Sequence, residues 1–459
     1  MMRLSEAAFA MSAVWNGPDL SVTGISTDSR SIGKDQLFIA LKGERFDGAA
    51  YVGQAQMSGA VAAVVEGAHF KIGETITGDM PLLLVKNSRR ALADLALYWR
   101  GRFDLPLVAV TGSNGKTTVK EMLASILREA CALDSQERNC VHATVGNLNN
   151  DIGVPLTLLN LRAHHRFAVI EIGMNHPGEI RYCTLVTRPD VALINNAQEA
   201  HLEGLGDVAA VARAKGEIFE GLPATGIAVI NKDDPHCEMW RDMAQDKKVV
   251  TFALQNHADV TARYRLDEAA SEVDFNTPSG HAQTRLSVPG LHNVRNALAA
   301  VAAAFALEVP LPAIAPGLAQ FSGVKGRLAM KTGIKGATLI DDTYNANPAS
   351  VAAAIAVLSA AQGRKILVLG DMGELGADAF ELHRRIGRLA REARIDRLCT
   401  LGDFSRHAAQ EFGGGQHFDA LEPLVTDLEE LLNENVTVLV KGSRFMQMER
   451  VVQALEAKE

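Results

Sequence analysis

The chain has 459 residues, 47% of them apolar and 22% charged, and carries a formal net charge of −8. That balance excludes a collagen-like or disordered chain and supports several buried cores, enough for two to four domains. It also excludes nucleic-acid binding through a general basic field, so an anionic ligand would need a local basic cluster.

The five cysteines, Cys131, Cys140, Cys183, Cys237 and Cys399, form no Cys-x-x-Cys pair. They are expected to be reduced thiols of a cytoplasmic protein, with no zinc site and no disulfide framework. The start, Met-Met-Arg-Leu-Ser-Glu, lacks an apolar run, so no signal peptide is expected. The most apolar run, Ala297 to Leu307, is too short to cross a bilayer and reads as a core helix.

Residues 1 to 85 mix short apolar runs (Leu37–Leu41, Val61–Val65, Leu82–Val85) with Gly and Asp turns, which predicts a small α/β domain. A helix is predicted over Ser88–Arg100. Residues 86–321 then alternate strands (Pro106–Val110, Phe167–Ile172, Val191–Asn195, Ile227–Asn231) with helices, the pattern of a mostly parallel covered sheet. After residue 248 the pattern turns β-rich up to Leu291. Residues 322–459 repeat the alternation (Thr338–Asp342, Lys365–Gly370, Arg397–Leu401, Thr437–Lys441), predicting a second open α/β sheet of Rossmann-like type. Hinges are expected near residues 85 and 322.

The richest stretch is Val108-Ala-Val-Thr-Gly-Ser-Asn-Gly-Lys-Thr-Thr118. An apolar strand enters a glycine-bounded turn and leaves in a helix whose Val119, Met122, Leu123, Ile126, Leu127 and Ala130 share one face. Such a corner aims backbone N–H groups and a helix N-terminus at one spot, which suits a phosphate chain. Gly112 and Gly115 allow close approach around Ser113 and Asn114. Lys116 can neutralise phosphate oxygens, and the Thr117 hydroxyl, beside Thr118, can ligate Mg²⁺. The longer phosphate-loop pattern requires glycine at position 110, where Val110 stands.

Other candidates fall at strand ends. Glu171 closes an apolar strand and reads as a Mg²⁺ ligand or as a solvated carboxylate. His201, past the next strand, reads as a surface residue or as a holder of metal or water. Lys215, in Ala-Arg-Ala-Lys-Gly-Glu-Ile-Phe, reads first as a surface lysine, although a semi-buried lysine can react as an amine. Asn293 and Asn296 open the alanine-rich segment and either cap its helix or face an adenine ring. Arg327, Asp342, Asn345, Asn347 and Lys441 lie at turns of the third zone and suggest a second binding edge, though Asp, Asn and Pro are also plain turn formers.

With these residues in this order the chain resembles the Mur ligases of peptidoglycan synthesis, over essentially its whole length. The resemblance rests on the short loop Thr111–Thr118, Leu41-Lys-Gly-Glu-Arg-Phe-Asp47, Gly146-Asn-Leu-Asn-Asn-Asp-Ile-Gly-Val-Pro155, Ala200-His-Leu-Glu-Gly204, Asp342-Thr-Tyr-Asn-Ala-Asn347 and Gly370-Asp-Met-Gly-Glu-Leu-Gly376. It implies an ATP- and Mg²⁺-dependent amide ligase, monomeric and without a membrane span, that adds D-alanyl-D-alanine to UDP-N-acetylmuramoyl-tripeptide through an acyl phosphate. By the same resemblance Lys116 and Thr117 would hold phosphates and metal, with Glu171, His201 and a carbamoylated Lys215 in the metal shell. Asn293 and Asn296 would face the nucleotide, Arg327 its phosphates, and Asp342 would join them. Ser29, Arg30, Lys42, Asn149 and Asn150 would meet the UDP end, and Asn345 and Asn347 the remaining substrate. The alternatives are a Mur ligase adding a single amino acid, a folylpolyglutamate synthase, and a nucleotide-binding switch without ligase chemistry.

Overall fold

A computed structural model describes residues 1–15, 17–43, 46–67, 80–135, 137–267 and 270–457. Besides a two-stranded ribbon of Met2–Arg3 and Ser21–Val22, three larger sheets follow one another among the described residues. The first joins β1 (Val14–Trp15), β2 (Gly24–Ser26), β3 (Gln36–Ile39), β4 (Ala60–Glu66) and β5 (Leu82–Val85) in the order β1-β5-β4-β3-β2, parallel except for β1. Helix α1 (Ser88–Arg100) follows, capped by the Asn87 side chain.

The second sheet is built from β6 (Leu107–Thr111), β7 (Val141–Ala143), β8 (Phe167–Glu171), β9 (Val191–Ile194), β10 (Ile227–Asn231), β11 (Lys248–Ala253), β12 (Val260–Leu266), β13 (Ser271–Thr277) and β14 (Gly280–Leu286). Its order is β14-β13-β12-β11-β10-β9-β6-β8-β7. The strands from β7 to β12 run parallel, and β12, β13 and β14 form an antiparallel edge. This matches the expected change of pattern after residue 248.

Strand β6 is buried on both faces. Leu107 and Ala109 join one core, whereas Val108 and Val110 join the core beneath α2 (Lys116–Ser135) and the alanine-rich α4 (Leu291–Ala306); α3 (Val208–Gly216) lies between them in sequence. Each buried Val or Leu side chain contributes roughly 1.5–3 kcal/mol over exposure. The double-sided burial explains why this strand reads as a continuous apolar run.

The third sheet joins β15 (Ala329–Thr332), β16 (Thr338–Asp342), β17 (Arg364–Gly370), β18 (Arg397–Leu401), β19 (Gln416–Phe418) and β20 (Val436–Lys441) in the order β15-β16-β20-β17-β18-β19, parallel except for β15. Helix α5 (Pro348–Ala360) packs over β20 and β17 and begins with Asn347 as its cap.

Two expectations are corrected here. One apolar cluster runs from Leu37, Ile39 and Leu83 through Leu92 and Leu95 to Leu107 and Ile170, so residue 85 crosses a continuous core, which is no place for a hinge. The third sheet, in contrast, keeps its own cores on its two faces. The end of α2 and the residues just before β7 lie together, so Cys131 and Cys140 form a disulfide, whereas Cys183, Cys237 and Cys399 are free. The expectation of five reduced thiols therefore fails at that pair, because spacing alone did not reveal this proximity. Among the described residues no helix is long and apolar enough to cross a membrane.

Candidate functional site

Parallel strands deliver their carboxyl ends to one edge. In the second sheet that edge holds the loop after β6, Glu171 at the end of β8, and Asn195 and Asn196 after β9. In the third it holds Asp342, Gly370 and Lys441. The two edges meet across a cleft of about 990 Å³.

The phosphate loop is tied down from β9. Ser113 N donates to Asn196 O at 3.0 Å, Asn114 N to Asn196 Oδ1 at 2.9 Å, and Asn195 Nδ2 to Asn114 O at 2.9 Å. Gln198 N donates to Ser113 Oγ at 2.9 Å. Asn195, Asn196 and Gln198 escaped the sequence reading, although two consecutive asparagines at a strand's carboxyl end are a usable signal. Gly115, at φ +79°, is required here. A Cβ there would lie 2.2 Å from Asn296 Oδ1 and 2.6 Å from Asn195 Nδ2.

Lys116 Nζ donates to Gly112 O at 2.7 Å and Ser113 O at 3.3 Å. Burial pulls its pKa down, with Glu171 opposing that pull. Thr117 and Thr118 are buried in the first turn of α2. Thr117 Oγ1 accepts from Arg327 Nη2 at 2.9 Å, a contact from the far side of the cleft, and the guanidinium stacks 4.2 Å above the Tyr344 ring.

Glu171 is 1% exposed. Its Oε1 accepts from Asn149 Nδ2 at 2.7 Å, whereas its buried Oε2 has no hydrogen-bond partner among the described residues. A buried carboxylate oxygen left alone is costly and fits a cation ligand. Among the described residues no three His, Cys, Asp or Glu side chains cluster as a metal set. That suits Mg²⁺, which takes one or two protein carboxylates and completes its shell with water and phosphate.

Lys215 is corrected from surface to core. It is 1% exposed near the end of α3, and burial, reinforced by repulsion from Lys116, holds its pKa well below that of an ordinary lysine. His201, at φ +58°, places Nδ1 2.6 Å from Glu374 Oε2, and Glu374 is itself at φ +61°. Two non-glycine residues in the left-handed region, touching across the cleft, mark a constrained site. The approach lacks the alignment of a hydrogen bond at Nδ1.

The open choice for Asn293 and Asn296 resolves against capping. Gly290 precedes α4, so both asparagines lie within the helix, buried and on the cleft wall. Asn293 Nδ2 donates to Pro289 O at 2.8 Å, and Asn296 Oδ1 accepts from Asn195 Nδ2 at 3.0 Å. Neighbouring His292 is pushed down to about 4, by burial first and then by Lys441 and Arg295. Its unfolded counterpart, near 6.5, takes up a proton that the folded ring refuses, so stability falls as pH drops from 6.5 to about 4. The expected loss is about 1–2 kcal/mol, allowing for cleft water around the ring. His292→Gln should flatten the melting-temperature profile over that range; an unchanged slope would refute the assignment.

On the opposite wall Lys441 Nζ lies 2.6 Å from Asp342 Oδ2 and donates to Asn345 O at 2.8 Å. Burial raises the Asp342 pKa against the pull of Lys441. Asn345 Oδ1 accepts from Ala346 N, and Asn150 Oδ1 from Gly153 N, so both side chains serve local turns although both line the cleft. Ser29, Arg30 and Lys42 are not among the residues lining it. Ser29 Oγ bonds Gln54, Arg30 forks onto Asp28, and Lys42 N donates to Ser88 Oγ. Glu44 and Arg45 of the 41–47 motif lie outside the described residues.

Comparison with known proteins agrees with this arrangement. Residues 21–100 match the Mur ligase family catalytic domain, 110–304 the Mur ligase middle domain and 326–444 the Mur ligase glutamate ligase domain. The chain is 42% identical to UDP-N-acetylmuramoyl-tripeptide–D-alanyl-D-alanine ligase of Escherichia coli (strain K12), over 99% of this chain and 98% of that one. Its fold superposes on a crystal structure of MurF from Acinetobacter baumannii with a TM-score of 0.90 at 36% identity, covering 98% of each chain. It superposes on MurF ligase from Thermotoga maritima in complex with ADP with a TM-score of 0.79 at 26% identity, covering 94% of this chain and 96% of that one. A phosphate loop on one sheet edge, a basic and acidic edge opposite, and three family domains in sequence make this chain a member of the Mur ligase family.

Proposed function

We propose that the chain is an ATP-dependent ligase joining D-alanyl-D-alanine to UDP-N-acetylmuramoyl-tripeptide, giving UDP-N-acetylmuramoyl-pentapeptide for peptidoglycan synthesis. The observation that carries this reading is the meeting of two sheet edges over one cleft, with Lys116 on one and the Arg327, Asp342 and Lys441 group on the other. A switch needs only the first edge, whereas a ligase must hold a nucleotide and two further substrates. The near-complete alignment with the Escherichia coli ligase supports the dipeptide as acceptor.

Residues 1–85 are assigned to the UDP end, 86–321 to ATP and 322–459 to the ligase step. The tripeptide's terminal carboxylate attacks the γ-phosphorus, ADP leaves, and an acyl phosphate forms. The amine of the dipeptide then attacks the acyl carbon, loses a proton and displaces phosphate, forming the amide. Lys116 offsets the repulsion between carboxylate and triphosphate. Asn293 and Asn296 face the nucleotide, and Arg327 orients its phosphates. Glu171, Thr117, His201 and the Lys215 amine, once carbamoylated, would hold Mg²⁺, which neutralises phosphate charge when bound. The two walls exclude water from the acyl phosphate. A monomer and a cytoplasmic setting complete the proposal, the latter supported by the need for ATP and a nucleotide-linked precursor.

The test is phosphate release from ATP and Mg²⁺ with UDP-N-acetylmuramoyl-tripeptide, comparing D-alanyl-D-alanine with single amino acids. Release with the dipeptide alone supports the proposal. Release with a single amino acid moves the chain to another branch of the family, and no release with any acceptor favours the switch.

A further inference from the structure

The phosphate loop is gripped from the far wall by a pair of carboxamides. Asn347 Nδ2 donates to Asn114 Oδ1 at 2.8 Å, and Asn114 Nδ2 donates back to Asn347 Oδ1 at 3.2 Å, between residues 233 apart in sequence. The orientation of each amide is fixed by its other partners. Asn347 Oδ1 accepts from Ser350 N at 2.9 Å to cap α5, which leaves Nδ2 as the group facing Asn114 Oδ1. Asn114 Nδ2 also donates to Gln198 Oε1 at 2.6 Å, so both of its N–H groups are committed. The Asn114 backbone is held at N by Asn196 and at O by Asn195. Both N–H groups of Asn114 are thus taken, whereas Asn347, which lines the cleft, spends one of its two on this bond. Arg327 on Thr117 provides a second tie between the same two walls, three residues further along.

We propose that Asn347 is a positioning residue for the ligase reaction. Through its reciprocal bond to Asn114 it locks the phosphate loop only when the third sheet is docked against the second. Loop geometry fit for phosphoryl transfer and closure of the cleft then become one event, and ATP bound before docking meets an unlocked loop. This rests on the ligase reading above. The separate cores of the third sheet allow it to dock and undock as a unit, and the loop, pinned on its other side by β9, registers docking through this contact and that of Arg327.

The experiment separates the cap from the tie. Asn347→Ser and Asn347→Thr each keep an oxygen that caps α5 but are too short to reach Asn114. Both are expected to melt like the unaltered chain and to bind Mg·ADP within about twofold, while kcat for dipeptide-dependent phosphate release falls about tenfold or more. Asn114→Ser should lose a similar factor, and the Asn114→Ser/Asn347→Ser double variant should lose no more than the worse single, because both remove one interaction. An unchanged kcat in both Asn347 variants, an ADP affinity that falls as far as kcat, or losses that multiply in the double variant would each overturn the proposal. An unaltered chain that releases no phosphate with any acceptor would instead sink the ligase reading.

Discussion

Lys116→Ala loses turnover by about 10³-fold or more while its melting temperature stays within a few degrees of the unaltered chain. The loss is large because the amine is the cation of the phosphate loop itself, where carboxylate and triphosphate must approach in a water-poor cleft. Fixed positive charge aimed at developing negative charge commonly supplies about 3–4 kcal/mol of transition-state stabilisation, and more where several phosphate oxygens share it. The fold survives because Lys116 contributes little to it. Among the described residues its Nζ bonds Gly112 O and Ser113 O, both in its own loop. The helix it opens is held by Val119, Met122, Leu123 and Ile126 in the core, and alanine is the best helix former. Steady-state phosphate release and thermal melting check the two halves of this expectation. Normal ATP-dependent product formation by the variant would show that the phosphate-loop assignment is wrong.

That loop was legible because its signals are local. Strand, glycine turn and helix follow one another within a dozen residues, and each has its own period. Ser88–Arg100, Ile227–Asn231, Thr338–Asp342 and Arg397–Leu401 were legible on the same grounds and fall where the periodicity put them. The misread features depend on contacts that no local pattern contains. Lys215 reads as a surface lysine because its helix neighbours are Ala, Arg and Gly. Its near-complete burial, and the Lys116 charge that acts on it, come from segments about a hundred residues away. The bond from Asn347 to Asn114 was hidden in the same way, because a turn asparagine near a strand end looks alike whether it faces a ligand, another domain or both. Asn114 lies in a loop of another sheet. The supposed hinge at residue 85 failed for a related reason, since a composition shift marks a change of layer but cannot report that α1 bridges both layers in one core. The resemblance to a family could rank Lys215 as functional, yet only the packed structure explains what sets its chemistry.

Lys215 carries the second large expected effect. An ordinary lysine is protonated at neutral pH and does not react with CO₂. Here burial, aided by the Lys116 ammonium, drives the pKa well down, so the amine is neutral over a wider pH range. Its nitrogen lone pair can then attack CO₂, forming an N–C bond and releasing one proton to give a carbamate anion. A carbamate would also turn the repulsion between Lys215 and Lys116 into attraction and would supply an oxygen to a metal shell shared with Glu171. Lys215→Met is therefore expected to lose about 10²–10³-fold in turnover, the range for removing one preorganised electrostatic contact. Stability should move the other way. Between the depressed folded value and 10.5 the unfolded lysine binds a proton that the folded one refuses, so the unmodified chain loses stability as pH falls through that window. Methionine removes the penalty, and in CO₂-free buffer the variant should melt at the same temperature or higher. A variant that loses activity while gaining stability separates a chemical role from a packing one. The direct check is a carbamate resonance in the ¹³C spectrum of the unaltered chain under ¹³CO₂, absent from Lys215→Met. Full turnover in CO₂-depleted buffer, with no such resonance, would leave Lys215 a buried amine without a part in the metal shell.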